Sequence, residues 1–204
     1  VNLAELKLAM SAANAAGYDH EPSMGWLKNS SRPISLRQGS LEGRIFQNPT
    51  HVIVAFQGTE EEVGDIWTDL KFFKTRIPGV PGKWHTGFIE GAARFNVELQ
   101  IWLRHNLGFR KLIITGFSLG AALAQGISVH LTRAKVPHKV YAFGGPRIAD
   151  RRAGSWLAKK TPHYRIHTHD DPVVHLPPFF FGFRHFGKLG VLTGTGLVTG
   201  PLAW

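Results

Sequence analysis

The chain has 204 residues, 43% hydrophobic and without Cys, enough to bury roughly 70% of its unfolded surface in one core, which excludes disorder, a cystine scaffold and thiol chemistry. Its formal charge is +10, from 24 Lys and Arg against 14 Asp and Glu. The cations come in ones and twos (Arg110, Lys111, Arg151, Arg152), without zinc-finger spacing, aromatic RNA-binding signature or basic heptads, so no nucleic-acid partner is expected; the charge reads first as a solvated surface and second as attraction to an anionic lipid interface.

No apolar run reaches the roughly 18 residues needed to span a bilayer. The N-terminal pattern from Leu3 to Ala16, with Glu5 and Lys7 among alanines, predicts an amphipathic helix rather than a signal peptide, stopped by Gly17. A polar stretch from Glu21 to Ser40 follows. Strands are predicted at Arg44 to Gln47, His51 to Phe56, Lys111 to Thr115, Lys139 to Phe143 and His163 to Thr168. Between them Phe88, Ala92, Phe95, Leu99 and Trp102 mark one face of a long helix, and Ala121 to Leu131 and Asp150 to Leu157 predict two more. Alternation of strands and helices implies right-handed crossovers, a mostly parallel sheet, and ligands at the carboxyl ends of its strands. The C-terminal Phe179, Phe180, Phe181 and Phe183, followed by the Gly-rich Gly190 to Gly200, read as buried core plus a hairpin, or alternatively as the lining of an apolar substrate channel. No repeat or linker divides the chain, so residues 1 to 204 are expected to form one compact domain.

Gly116, Phe117, Ser118, Leu119 and Gly120 form a Gly-x-Ser-x-Gly pentapeptide. Alone it is a weak signal. Here a strand runs straight into Gly116 and a helix leaves straight after Gly120, which is the strand-turn-helix setting that exposes a nucleophilic hydroxyl. The helix start at Leu119 aims backbone N–H groups at a reacting carbonyl. A hydroxyl also needs a base and an acid that orients the base, in the order Ser, Asp or Glu, His. The carboxylates after Ser118 are Asp150, Asp170 and Asp171, and the histidines beyond Asp171 are His175 and His185. His175 is only four residues on, so His185 on a separate loop is the preferred base.

These residues, with several motifs in order, resemble the class 3 lipases, the fungal-type triacylglycerol lipase family. Val54 to Thr59 resemble the family's oxyanion segment, with Gln57 in place of the usual Arg. Asp65 to Leu70 resemble its lid helix, Trp84 to Phe88 its His-x-Gly-Phe segment, and Phe143 to Arg147 its Phe-Gly-x-Pro-Arg turn. Asp171, Val173, Leu176 and Pro177 match its catalytic-acid segment, with Val174 in place of the usual Pro, and this register selects Asp171 over Asp170. Phe183, Arg184 and His185 resemble its aromatic-x-His.

The resemblance implies an α/β-hydrolase fold, a central mostly parallel sheet flanked by helices in compact form. It implies a lipase or esterase with a triad of Ser118, Asp171 and His185, oxyanion donors at Thr59 and Leu119, and no metal or cofactor. A lid at residues 60 to 70 would present Ile66, Trp67 and Leu70; the capping-box pattern of Thr59 and Glu62 would start that helix. Substrates are lipid or small esters, with phospholipase A1 and feruloyl-type esterase chemistry as alternatives on the same triad. Two readings from other classes stand beside it. His163, His167, His169 and Asp171 recur at even spacing and would share a strand face as metal ligands of a metallohydrolase; and the charge alone would suit a non-enzymatic lipid- or nucleic-acid-binding module.

Overall fold

The computed structural model describes residues 2–17, 33–58, 73–194 and 196–199. Helix α1, Leu3–Gly17, opens on Asn2, whose Oδ1 accepts from the N–H groups of Ala4 (3.0 Å) and Glu5 (3.2 Å) as an N-cap. Its buried face is made of alanines, including Ala9, Ala12, Ala13 and Ala16. The polar stretch after it ends in a strand: β1, Ile34–Gln38, pairs antiparallel with β2, Leu41–Gln47, and buries Leu36 between polar neighbours, with Ile34 partly covered.

Strand β3, His51–Phe56, is followed by a small two-stranded ribbon of β4, Lys74–Thr75, and β5, Trp84–His85. Helix α2, Thr86–Asn106, buries Phe88, Ala92, Phe95 and Leu99, the four spacing residues expected to face inward, with Trp102 only partly covered. Then come β6, Lys111–Phe117; α3, Leu119–Arg133; β7, Lys139–Phe143; α4, Arg151–Lys160; β8, His163–Thr168; β9, Lys188–Thr193; and β10, Gly196–Thr199. Asp150 caps α4 by accepting from Ala153 N–H at 2.8 Å and from Lys83 N–H at 2.9 Å, so this carboxylate is occupied structurally.

The main sheet runs β1-β2-β3-β6-β7-β8-β9-β10. Its five central strands, β3, β6, β7, β8 and β9, are parallel, and the antiparallel pairs lie at its edges. On one face Val54, Phe56, Ile114, Val140 and Ala142 pack under α2 and α3. On the other, Phe46, Ile53, Ile113, Tyr141 and Phe143 pack under the alanine face of α1. Both faces of the central strands are therefore apolar, the reason they read as continuous hydrophobic runs. The hairpin expected at the C-terminus is β9 and β10, but Phe179, Phe180 and Phe181 are 62%, 72% and 45% exposed, and only Phe183 is buried. They occupy a 3-10 turn outside the core, where among the described residues no element covers them.

Three of the buried histidines are kept neutral. Burial holds His85 and His138 near a pKa of about 4 and His163 near about 3. Between pH 6.5 and about 4 the unfolded chain therefore binds protons that the folded one refuses, and stability falls on acidification. The expected loss is about 1.4 kcal/mol per pH unit for each such group in that window. Urea denaturation at pH 7.5 and pH 5 measures it; a flat profile would mean the folded protein accepts these protons.

Candidate active site

Ser118 stands between β6 and α3 with φ 53° and ψ −118°. A positive φ is costly for a residue with a Cβ and persists only where the surroundings impose it. Two glycines allow it. A Cβ on Gly116 would lie 2.3 Å from the backbone of Gly120, and a Cβ on Gly120 would lie 2.2 Å from the Phe56 carbonyl oxygen. The helix thus starts in direct contact with the ends of both β3 and β6. Ser118 N–H donates to Phe143 O at 2.9 Å, tying the turn to β7 as well. The hydroxyl-bearing residue is left half-buried at the carboxyl ends of the parallel strands. The N–H of Leu119, at the first position of α3, lies at the positive end of the helix dipole with no intrahelical acceptor.

Asp171 follows β8, two strands from β6. Its Oδ1 accepts from Val173 N–H at 2.9 Å. Its Oδ2 lies where a side chain on Gly144 would be, 2.6 Å from the Cβ position, with the Phe117 ring 3.4 Å from the same point. Gly144 has φ 54° and no side chain, so the carboxylate reaches across the end of β7 toward the residue preceding Ser118. Asp170 behaves differently: its side chain is fully exposed and meets only His169, at 3.4 Å. In the sequence Gly144 is only the glycine of the Phe-Gly-x-Pro-Arg turn; the clearance at its Cβ shows why the position has no side chain.

The segment after β3 arrives at the same place. A Cβ on Gly58 would lie 3.7 Å from that of Ser118. Thr59, the expected second oxyanion donor, and Ile66, Trp67 and Leu70, expected on the lid, lie outside the described residues.

His185 is not brought to this pair. Arg184 N–H bonds to Ala149 O beside the start of α4, Phe186 packs on Gly154, and Gly187 lies against His163 at the first residue of β8. The stretch carrying His185 therefore descends along α4 toward the amino end of β9, whereas Ser118 and Asp171 follow carboxyl ends. Its Nε2 lies 2.7 Å from Val174 O, and since a carbonyl only accepts, that nitrogen carries the proton. A triad imidazole needs one nitrogen for the carboxylate and the other for the serine; His185 has one nitrogen already committed. Burial, then Arg165, hold its pKa well below that of a free imidazole. Among the described residues no hydrogen bond joins any histidine to Ser118 or Asp171.

A second serine–histidine contact is structural. Ser128 Oγ and His138 Nε2 are 2.7 Å apart, but both residues are buried, and His138 Nδ1 bonds to Val136 O rather than to a carboxylate. The even spacing of His163, His167, His169 and Asp171 does not gather ligands either. The strand ends at Thr168, His163 Nδ1 bonds to Thr161 O and His167 Nδ1 to Thr168 O, and among the described residues no three His, Asp or Glu converge.

Exposed aromatic rings and cations stand at Asp171 and in the 179–184 segment. Phe117 is 56% exposed beside Asp171, and the exposed Phe179 ring lies under the Arg184 guanidinium at 5.7 Å. Lys74 bonds to Phe181 O and stands 4.7 Å from the Phe183 ring centre. No described helix is long and apolar enough to cross a membrane.

Residues 53–181, more than half of the chain, match the family described as Lipase (class 3). The secreted mono- and diacylglycerol lipase 1 of Fusarium solani is 35% identical over 106 residues, which is 50% of this chain and 32% of that protein. The lipase of Rhizomucor miehei is 28% identical over 147 residues, 67% of this chain and 40% of that one. The chain thus spans well under half the length of both. Among solved structures, the lipase of Rhizopus microsporus var. chinensis superposes with a TM-score of 0.80 at 24% identity, over 98% of this chain and 80% of that one. A triacylglycerol lipase described as having a serine protease triad at its catalytic centre gives 0.82 at 21% identity, over 98% and 84%. At these identities the structural likeness speaks for the fold, an α/β-hydrolase with its mostly parallel sheet flanked by helices.

Proposed function

The chain belongs to the class 3 lipase family, and from that membership we propose that it hydrolyses carboxylic esters of lipids by acyl transfer through Ser118. The observation that carries the reading is the positive-φ serine held between β6 and α3 by glycines that leave no room for a side chain. In this reading Ser118 Oγ attacks the ester carbonyl carbon. The carbonyl oxygen takes up negative charge and is met by the Leu119 N–H, with Thr59 N–H as the second donor. Collapse of the tetrahedral intermediate expels the alcohol and leaves an acyl-serine, which water then cleaves. Asp171 orients and stabilises the imidazole that shuttles the proton. Among the described residues no histidine is bonded to Ser118 or Asp171, and His185, the base expected from the sequence, keeps its Nε2 on Val174 O.

The substrate follows from the rim. Exposed Phe117 beside Asp171, and the exposed Phe179 and Phe180 in the segment held by Lys74 and Arg184, suit an anionic lipid interface, as does the charge of +10. A lid over residues 60 to 70 would add Ile66, Trp67 and Leu70 to that apolar rim. The relative named for mono- and diacylglycerols directs the first assays to partial glycerides, with phospholipid and feruloyl esters as comparisons. The full-length protein, treated with an alkyl phosphonate ester, is expected to gain one adduct that peptide mapping places on Ser118. An adduct on another residue, or none from a protein that turns over esters, would overturn the reading.

A further inference from the structure

Beneath the turn that carries Asp171, cations gather without an anion among the described residues. Arg147 is spent on that turn: its backbone N–H bonds to Leu176 O, and its guanidinium bonds to the carbonyls of His175 and Pro177, the latter at 2.9 Å. Arg184 is likewise spent on Phe179 O at 2.5 Å and Phe183 O at 2.8 Å. Arg165 is different. It stands in the middle of β8, in register with Ala142 on β7 and Leu189 on β9, opposite in direction to Ile166, which faces α1. It is half-buried, its Nε is shut off from solvent with no hydrogen-bond partner, and among the described residues it takes part in no ion pair.

Burial, then the charge of Arg147, pull its pKa down to about 10. The same two arginines act on His185. A guanidinium cannot escape by deprotonating at neutral pH, so removing it from water without a counter-charge is costly, and such groups are ordinarily paired.

We propose that Arg165, between Arg147 and the His185 ring, is a receptor for a carboxylate that pairs through the guanidinium fork. One uncommitted guanidinium set beside Ala142 and Leu189 suits a monoanion with an apolar tail or stem better than a phosphate dianion, and the planar fork matches a carboxylate. The carboxylate is that of a fatty-acid anion in solution, a side-chain carboxylate being the alternative the test separates. It would sit under the segment that presents Asp171, because Arg147 and His185 hold that segment at Leu176, His175, Pro177 and Val174.

The test follows the Nε–Hε NMR resonance of Arg165 in the full-length protein, assigned by its loss in Arg165→Met. Titration with sodium octanoate at constant ionic strength is expected to move it along a saturable 1:1 curve and to raise the melting temperature by about 3 °C at ten times the dissociation constant. Equimolar phosphate should move it little. The thermal gain should vanish in Arg165→Met and weaken in Arg165→Lys, which keeps the charge but not the fork. If a side chain already holds the site, octanoate leaves the resonance unmoved and a trans-hydrogen-bond coupling connects Nε to an Asp or Glu carboxyl carbon. A resonance that shows neither response, or that follows phosphate as strongly as octanoate, overturns the proposal.

Discussion

Ser118→Ala is expected to lower ester turnover by the full-length protein by about 10⁶-fold, with circular dichroism and melting temperature close to those of the parent. The size follows from the mechanism: without the hydroxyl no acyl-enzyme forms, and only binding and the backbone donors remain to help water attack directly. The fold should survive because the turn is imposed by its surroundings. Ser118 makes its contacts to Phe143 O and to Ala121 and Ala122 N–H through backbone atoms, and alanine keeps all of them. Turnover within tenfold of the parent would remove Ser118 from the chemistry, and with it the reading as a serine hydrolase.

Asp171→Asn is expected to cost about 10⁴-fold in kcat, with KM changed only a few-fold. Asparagine is nearly isosteric. Its Oδ1 can still accept from Val173 N–H, and its amide fits the same space over Gly144, so the turn should hold its shape. What disappears is the negative charge that steadies a protonated imidazole and fixes its tautomer. Asp170→Asn serves as the neighbouring control. That carboxylate is fully exposed and meets only His169, so its loss should leave kcat within about twofold. Equal losses in the two variants would show that the charge of the turn matters rather than the placement of one oxygen pair.

The parts of this architecture that were legible in the chain are those whose local pattern and final environment agree. Residues 112 to 114 are apolar on both faces because helices cover both, and 88 to 102 repeat with the helical period because only one side of α2 faces the sheet. The pentapeptide could be read because its glycines answer to one turn. The edges were harder. Strand β1 fully buries a single leucine, so it carries no period strong enough to announce the pairing that its neighbour completes.

The phenylalanine run misled for a related reason. Hydrophobicity states a preference for cover, but whether any cover arrives depends on elements far away in the chain. His185 shows the limit most clearly: order along the chain selected it, yet its position is decided by where Ala149 and Gly154 hold the preceding and following residues. Those contacts leave its Nε2 on a carbonyl. Arg165 was likewise invisible, since in the sequence it is one more cation among 24 Lys and Arg.

The alanine-faced α1 has a practical corollary for anyone shortening this protein. Small side chains let it lie close on Phe46, Ile53, Ile113, Tyr141 and Phe143, and among the described residues nothing else shields the middle of that side. A version trimmed past Gly17 would present a bare greasy slab and strand Glu5's partners, Lys139 and Tyr141, without their acid. Self-association on expression is the outcome to anticipate, so purification handles belong where they leave this leading helix seated.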